Sequence, residues 1–184
     1  MEIAFLGWGS LVWDPRDLRI RGEWHKDGPL LPIEFMRLSG GGRITLVIHP
    51  GAEEIQALWA YADFEELDDA RENLRAREVT ITEQIGFATI PECKSRCWGD
   101  PKILERILKW GKKKGLDAVV WTGLTENSDK FREKTEMELN EDNIIKYLKT
   151  LTGETLEKAR EYVKKAPEQI DTKLRRRTKQ ELNW

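Results

Sequence analysis

Residues 5–15 read FLGWGSLVWDP and alternate minimal with bulky side chains directly after a short apolar segment. Glycine has no Cβ, so Gly7 and Gly9 can adopt a positive φ or let a ligand approach the backbone closely. Both properties suit a binding loop, and both equally suit a tight turn. The stretch therefore indicates either an ordinary turn or a binding loop in which Trp8 and Trp13 line a pocket.

A second candidate for chemistry is a glutamate at the end of a predicted helix over residues 63–78. At about 100° per residue, Glu78 projects within about 20° of Leu67, which lies on the apolar side of that helix. A carboxylate in such a place can act as a general acid and base. Glu72 projects about 140° from Leu67, toward solvent, and is the second candidate if the helix has another register. The alternative is that the helix frays before Glu78, which then lies on a connecting loop.

Other catalytic constellations find little support. Ser10 has no evident His and Asp partners, and neither cysteine has a nearby histidine, so a conventional activated nucleophile is not expected. The two cysteines, at C-x3-C spacing, and the two histidines are too irregularly spaced for a typical zinc site. We therefore expect two reduced thiols, no metal and no cofactor. These four residues are Cys93, Cys97, His25 and His49.

Alternating strand and turn patterns surround the candidate residues. The triple glycine at residues 40–42 joins two apolar segments as a hairpin turn, because it lacks the Gly-Lys-Ser/Thr of a phosphate loop. The pattern predicts an α+β fold with a mixed, largely antiparallel sheet and flanking helices. The predicted strands are residues 2–8, 31–40, 43–50, 54–62, 79–92 and 116–124, and the helices in this part are 63–78 and 100–115.

The chain changes character near residue 125. Beyond it the sequence is charged and helical, with predicted helices around 129–139, 141–151 and 154–165. A length of 184 residues suits one domain with an appended piece. We therefore predict one domain over residues 1–124 and a helical C-terminal extension, residues 125–184, packed on the same domain.

Charge and hydropathy exclude several partner classes. The formal net charge is −2, which gives the whole protein no attraction to nucleic acid or anionic membranes. No apolar run is long enough to span a membrane, and Met1 leads into EIAFLGW without a signal-peptide pattern, so we expect a cytoplasmic protein. The one basic cluster, KLRRRTK at 173–179, is interpreted as a solvated helix face. We expect neither a nucleic-acid nor a membrane partner.

Two motifs together resemble a known family. GWGSLVWDP, after the first predicted strand, and LRARE, at the end of the first helix, resemble the γ-glutamylcyclotransferase-like superfamily and most closely its ChaC branch. The intervening RITLVIHPGAEEIQALWAYA is also similar to the family's strand, turn and strand. The resemblance covers roughly the first half of the chain. The matching residues are Gly9, Ser10, Leu11, Val12, Trp13, Pro15, Leu74, Arg77 and Glu78.

This resemblance implies a fold and an activity. The fold is a mixed, largely antiparallel sheet or small barrel. The activity is cyclisation of a γ-glutamyl group to 5-oxoproline, with release of an amine or a peptide such as the remainder of glutathione. Glu78 would be the catalytic acid and base, and the N–H groups of Ser10 and Leu11 would stabilise the oxyanion. Trp8, Gly9 and Arg77 complete the set implied to bind substrate.

The sequence departs from the family pattern at two places in this site. Trp8 stands where the family has tyrosine, and Val79 and Thr80 follow Glu78 where the branch usually has glycines. A second hypothesis follows from these departures. The chain would keep the fold and its pocket but bind a small metabolite or a protein partner without turnover. Under either hypothesis two roles are open for Arg77: it holds a substrate carboxylate, or it pairs with a nearby acid.

Overall fold

The computed structural model describes residues 1–91, 94–96 and 100–184, which form an α+β fold. Nine strands lie within these ranges: β1 Ile3–Gly7, β2 Ile20–His25, β3 Leu30–Leu38, β4 Ile44–Ile48, β5 Glu54–Gln56, β6 Leu58–Ala62, β7 Ile85–Thr89, β8 Ser95–Arg96 and β9 Ala118–Thr122. The same ranges hold six α-helices: α1 Leu67–Glu78, α2 Pro101–Lys114, α3 Ser128–Thr135, α4 Glu141–Thr150, α5 Gly153–Lys165 and α6 Lys173–Leu182.

The strands form two open sheets. One sheet has six strands in the order β2-β6-β1-β9-β7-β8, and the other has three in the order β4-β3-β5. β1 pairs with β9 in parallel, whereas its pairing with β6 and the pairings of β2 with β6 and β7 with β9 are antiparallel. The mixed, largely antiparallel sheet is therefore confirmed. The small barrel is not observed among the described strands, because β2 and β8 stand at opposite edges of the larger sheet.

The described residues divide into two compact units. The first comprises residues 1–31 and 56–124, and the second comprises 32–55 and 125–184. In this division the β3–β4 hairpin belongs with the C-terminal helices, and residues 124 and 125 fall in different units. Local hydrophobic periodicity cannot predict which unit a segment belongs to, because that grouping depends on contacts between segments distant in the chain.

The core of the first unit lies between its sheet and α1. Ile3 and Phe5 on β1 and Ala70 and Leu74 on α1 are fully or almost fully buried in one hydrophobic cluster. Ala70 and Leu74 are four residues apart and therefore lie on one face of the helix. This packing fixes the rotation of α1 and thereby the direction of the side chains at its C-terminal end.

In the second unit a buried carboxylate joins the hairpin to α6. Glu34 on β3 is 4% exposed, and its two oxygens accept hydrogen bonds from the N–H groups of Phe35 and Leu174. Burial raises the pKa of this carboxyl, a shift that its hydrogen bonds, including one with Thr172, partly oppose. Glu34 thus satisfies one of the free N–H groups in the first turn of α6.

The interpretation of the basic cluster 173–179 as a solvated face is wrong for Arg175. Arg175 is buried, and its guanidinium donates to the carbonyls of Ala166 at 2.6 Å, Pro167 at 2.6 Å and Ile170 at 3.0 Å. Burial lowers the pKa of this guanidinium. Five donors in a planar fork allow one arginine to satisfy several carbonyls, which explains why a cation is buried here.

Two predicted strands change their bounds, and one strand was not predicted. The predicted strand 54–62 is two strands, because β5 joins the three-stranded sheet and β6 the larger one. The predicted strand 79–92 is shortened to β7, which a 3-10 helix over Thr82–Gln84 precedes. β2 is not anticipated, because its exposed side chains and Gly22 at φ 83° hide the strand pattern.

Candidate functional site

The stretch GWGSLVW folds as a compact turn anchored by apolar side chains. β1 is buried along its whole length, and Trp8 and Leu11 beyond it are each 5% exposed. The turn is closed by hydrogen bonds from the Val12 N–H to the Gly9 carbonyl at 3.0 Å and from the Asp14 N–H to the Ser10 carbonyl at 2.8 Å. The backbone between these residues is therefore held in a defined conformation.

Two backbone donors of this loop are free of protein partners. Within the described ranges, neither the Ser10 N–H nor the Leu11 N–H donates a hydrogen bond to another residue. Adjacent N–H groups without protein partners can donate hydrogen bonds to an oxygen atom of a ligand. They are the two groups to which the family resemblance assigns the oxyanion.

Gly7 serves close packing rather than a positive φ. It lies at the end of β1, and a Cβ there would meet the Trp24 ring at 2.6 Å and Val12 at 3.0 Å. Trp24, on β2, therefore supports the start of the loop, a contact that the sequence did not indicate. The Trp24 indole Nε1 is buried and has no hydrogen-bond partner within the described part of the chain.

Helix α1 reaches Glu78 and stops immediately afterwards. Val79 has φ 51° and ψ 51°, its N–H donates to the Ala76 carbonyl, and the Thr80 N–H donates to the Arg75 carbonyl. These two hydrogen bonds and the left-handed residue define a Schellman motif. The helix thus does not fray before Glu78, although it begins at Leu67 rather than at residue 63.

Arg77 connects the end of α1 to the loop after β1. Its guanidinium lies 2.7 Å from Glu78 Oε1, 3.3 Å from Ser10 Oγ and 2.6 Å from the Asp14 carbonyl oxygen. The Arg77 side chain is 4% exposed and the Glu78 side chain is 16% exposed. One buried cation therefore holds both the candidate acid and the candidate binding loop.

This arrangement brings the predicted site residues together in one place. Glu78, Arg77 and Ser10 are linked directly, while Trp8 and Leu11 are the buried anchors of the loop. Arg77 pairs with a neighbouring acid, which is one of the two roles left open for it. The contact of Arg77 with Asp14 was not anticipated, because a backbone carbonyl carries no residue-type signal.

The second candidate acid lies elsewhere on the helix. Glu72 is exposed, and both its carboxylate oxygens accept hydrogen bonds from Arg75, at 2.6 and 2.7 Å. These hydrogen bonds lower the pKa of the Glu72 carboxyl. The solvent-facing direction predicted by helical periodicity agrees with this position.

The residues considered for a metal site do not assemble one in the described ranges, where no group of three or more His, Cys, Asp or Glu could hold an ion. His25 stacks on Trp59 with ring centroids 4.5 Å apart, and His49 Nδ1 lies 2.8 Å from Glu126 Oε2. Cys93 and Cys97 lie outside the described residues.

No helix in the described ranges combines the length and the hydrophobicity that a membrane span requires. Comparisons of the chain with protein-family models, with curated proteins and with solved structures find no match.

Proposed function

We propose that this protein is a γ-glutamylcyclotransferase-like enzyme that converts a γ-glutamyl group to 5-oxoproline and releases an amine or a peptide. The observation that carries the proposal is the contact set of Arg77, which holds the Glu78 carboxylate beside the loop of Ser10. The resemblance of this loop and of the LRARE segment to the family supports the same reaction.

The reaction is an intramolecular acyl transfer. The α-amino nitrogen of the substrate attacks its own γ-carbonyl carbon, a new C–N bond closes the five-membered ring, and the original amide C–N bond breaks. Because the nucleophile belongs to the substrate, the enzyme has to orient the two groups rather than supply a nucleophile. This explains how a site without a Ser-His or Cys-His pair can perform acyl transfer.

Glu78 would carry the proton. An ionised carboxylate takes one proton from the α-ammonium group and gives it to the nitrogen of the leaving amine. The second proton, which the attacking nitrogen loses on ring closure, follows the same route, so the amine leaves as an ammonium ion and the carboxylate is regenerated in each turnover. Arg77 is a positioning residue in this scheme, because its guanidinium is occupied by Glu78, Ser10 and Asp14. The free N–H groups of Ser10 and Leu11 would receive the negative charge that develops on the γ-carbonyl oxygen.

The experiment compares Glu78→Gln with Glu72→Gln in an assay of 5-oxoproline formation. The substrates are a panel of γ-glutamyl peptides and amines that includes glutathione. We expect Glu78→Gln to lower kcat by about 10²- to 10⁴-fold, because it removes the general acid and base. Glu72→Gln changes the same charge on the same helix at an exposed position and should retain wild-type activity. Equal activity of the two variants would overturn the assignment of Glu78.

A second function is favoured by the low exposure of Glu78. A carboxylate that is 16% exposed and bonded to arginine also suits a structural role, in which the fold binds a small metabolite or a protein partner without turnover. The same panel separates the two functions. Saturable binding of a γ-glutamyl compound that forms no 5-oxoproline would support binding without turnover, and turnover would exclude it.

A further inference from the structure

The second unit contains a cavity that is separate from the Glu78 site. Its volume is about 950 Å³, and its lining comes from the glycine-rich β3–β4 turn, from α3, from the end of α4 and from the start of α5. All lining residues belong to the second unit. The volume is within the usual range for sites that bind small molecules.

The glycine-rich β3–β4 turn packs closely against α4 and α5 and so forms one wall of the cavity. A Cβ at Gly42, which has φ 78°, would lie 3.0 Å from Thr155 Cγ2 and 3.1 Å from the Tyr147 hydroxyl oxygen. The Tyr147 hydroxyl donates a hydrogen bond of 2.8 Å to the Gly42 carbonyl. The wall is therefore built by specific contacts between α4, α5 and the turn.

Hydrogen-bond donors predominate among the unpaired groups of the lining. Lys130 and Lys134 line the cavity one helical turn apart on α3, and neither forms an ion pair within the described ranges. The Thr152 and Thr155 hydroxyls are likewise without a protein partner in that part of the chain. Glu133 is the acid of the lining, so two lysines leave it with a positive balance.

We propose that this cavity binds a small organic phosphate monoester. A phosphate group offers several acceptor oxygens and negative charge to the two ammonium groups and the hydroxyls. Leu38, Met137 and Leu151 provide an apolar part of the lining against which the organic portion of the ligand can pack. The proposal does not depend on the cyclotransferase reaction, because none of these residues belongs to the Glu78 site.

The test is a titration of the full chain with phenyl phosphate at constant ionic strength. Amide chemical shifts in NMR spectra monitor the binding. Constant ionic strength matters because salt screens exposed charges. We expect saturable shifts confined to the turn at 39–42 and to residues 130–155, with weaker saturation by inorganic phosphate. No saturation by phenyl phosphate up to about 10 mM, a concentration that detects weak ligands, would overturn the proposal.

Two double variants and one further probe make the test specific. Lys130→Gln with Lys134→Gln should weaken phenyl phosphate binding by about tenfold or more, because two charge-assisted hydrogen bonds are lost. Lys109→Gln with Lys113→Gln removes the same charge at the same spacing from exposed positions on α2 and should bind as the wild type does. Equal affinity of the two double variants would overturn the site. Equally tight binding of benzoate would overturn the phosphate class.

Discussion

At the scale of single residues, Arg77 determines how the candidate site is held together. The structure gives its guanidinium three partners on two segments: Glu78 at the helix end, and Ser10 and Asp14 on the loop. A buried cation with three hydrogen-bond partners has a fixed orientation and leaves little freedom to those partners. We therefore infer that Arg77 orients Glu78 and the loop and does not itself contact the substrate.

Arg77→Lys tests this role because lysine keeps the charge but cannot reproduce the planar fork. We expect the free energy of unfolding to fall by about 1–3 kcal/mol, since buried partners lose hydrogen bonds. We also expect kcat for 5-oxoproline formation to fall by about 10- to 100-fold with a smaller change in KM. Arg75→Lys, on the same helix, is the control. A raised KM with unchanged kcat would show instead that Arg77 binds the substrate.

Val79 is under backbone strain at the end of α1. The structure places it in the left-handed region at φ 51°, where glycine is favoured and a β-branched side chain is strained. Its side chain is 81% exposed and so gains little from packing. A glycine at this point would suit the backbone conformation that ends α1.

Val79→Gly should therefore stabilise the protein. Relief of left-handed strain contributes about 1–2 kcal/mol, and the greater entropy of glycine in the unfolded chain offsets part of it. We expect a net gain of about 0.5–1 kcal/mol and a Tm higher by about 2 °C, measured by thermal unfolding. Val79→Ala should gain less because it keeps a Cβ. A lower Tm for Val79→Gly would contradict the left-handed conformation.

At the scale of elements, the helices of the second unit are joined by buried polar contacts that sequence patterns do not reveal. The run KLRRRTK indicates a charged helix. Only the fold shows that Arg175 is buried and that its neighbour Arg176 is near the surface. Arg175 meets the carbonyls that follow α5, whereas Arg176 pairs with Glu53 near the surface. Helical periodicity predicts the faces of a helix but not which face meets free carbonyl groups.

Arg175→Lys should destabilise the second unit far more than Arg176→Lys. Lysine cannot satisfy the carbonyls of Ala166, Pro167 and Ile170 together, and buried carbonyls without partners cost about 1–3 kcal/mol each. We expect a loss of about 2–4 kcal/mol for Arg175→Lys and about 0–1 kcal/mol for the exposed pair of Arg176. Urea unfolding followed by far-UV circular dichroism measures both. Equal midpoints would show that the carbonyls find other partners.

Sequence periodicity was most informative where one segment contains the whole signal. The apolar stripe of α1 predicted that Glu78 turns toward the protein and Glu72 toward solvent, and the structure places them so. β2 lacked such a signal, because the larger sheet uses it as an edge strand with exposed side chains. The support that Trp24 gives to Gly7 could not be predicted, since it requires knowing that β2 exists.

At the scale of the whole molecule, the limit of sequence reasoning is the assignment of segments to units. Residues 32–55 show ordinary hairpin patterning, and nothing in their composition indicates that they belong with residues 125–184. That assignment follows from long-range contacts such as the hydrogen bond from Leu174 to Glu34. Composition therefore changes near residue 125, but it gives no sign that the hairpin groups with the C-terminal helices.

The pH dependence of stability distinguishes this buried contact from the surface ion pairs. Hydrogen bonds to lysine or arginine lower the pKa of several exposed carboxyls, among them Glu154 and Glu161, whereas burial raises the pKa of Glu34. Acids with a lowered pKa contribute stability that is lost as pH falls. Glu34 has the opposite sign, because the folded protein keeps its proton at pH values where the unfolded chain has released it.

Glu34→Gln isolates this contribution. The stability that protonated Glu34 supplies is fully present below its unfolded pKa near 4.5 and is lost as pH rises through the raised folded value. Across that window the free energy of unfolding of the wild type should fall relative to that of Glu34→Gln, by about 1.4 kcal/mol per pH unit, and then level off above the folded pKa. Urea unfolding curves measured from pH 4 to pH 8 give the free energies of unfolding of both proteins, and hence this difference. The amide adds a constant offset, because it cannot accept from both the Phe35 and the Leu174 N–H groups, but an offset has no pH dependence. A difference that stays flat across the range would show that Glu34 titrates in the folded protein as it does in the unfolded chain.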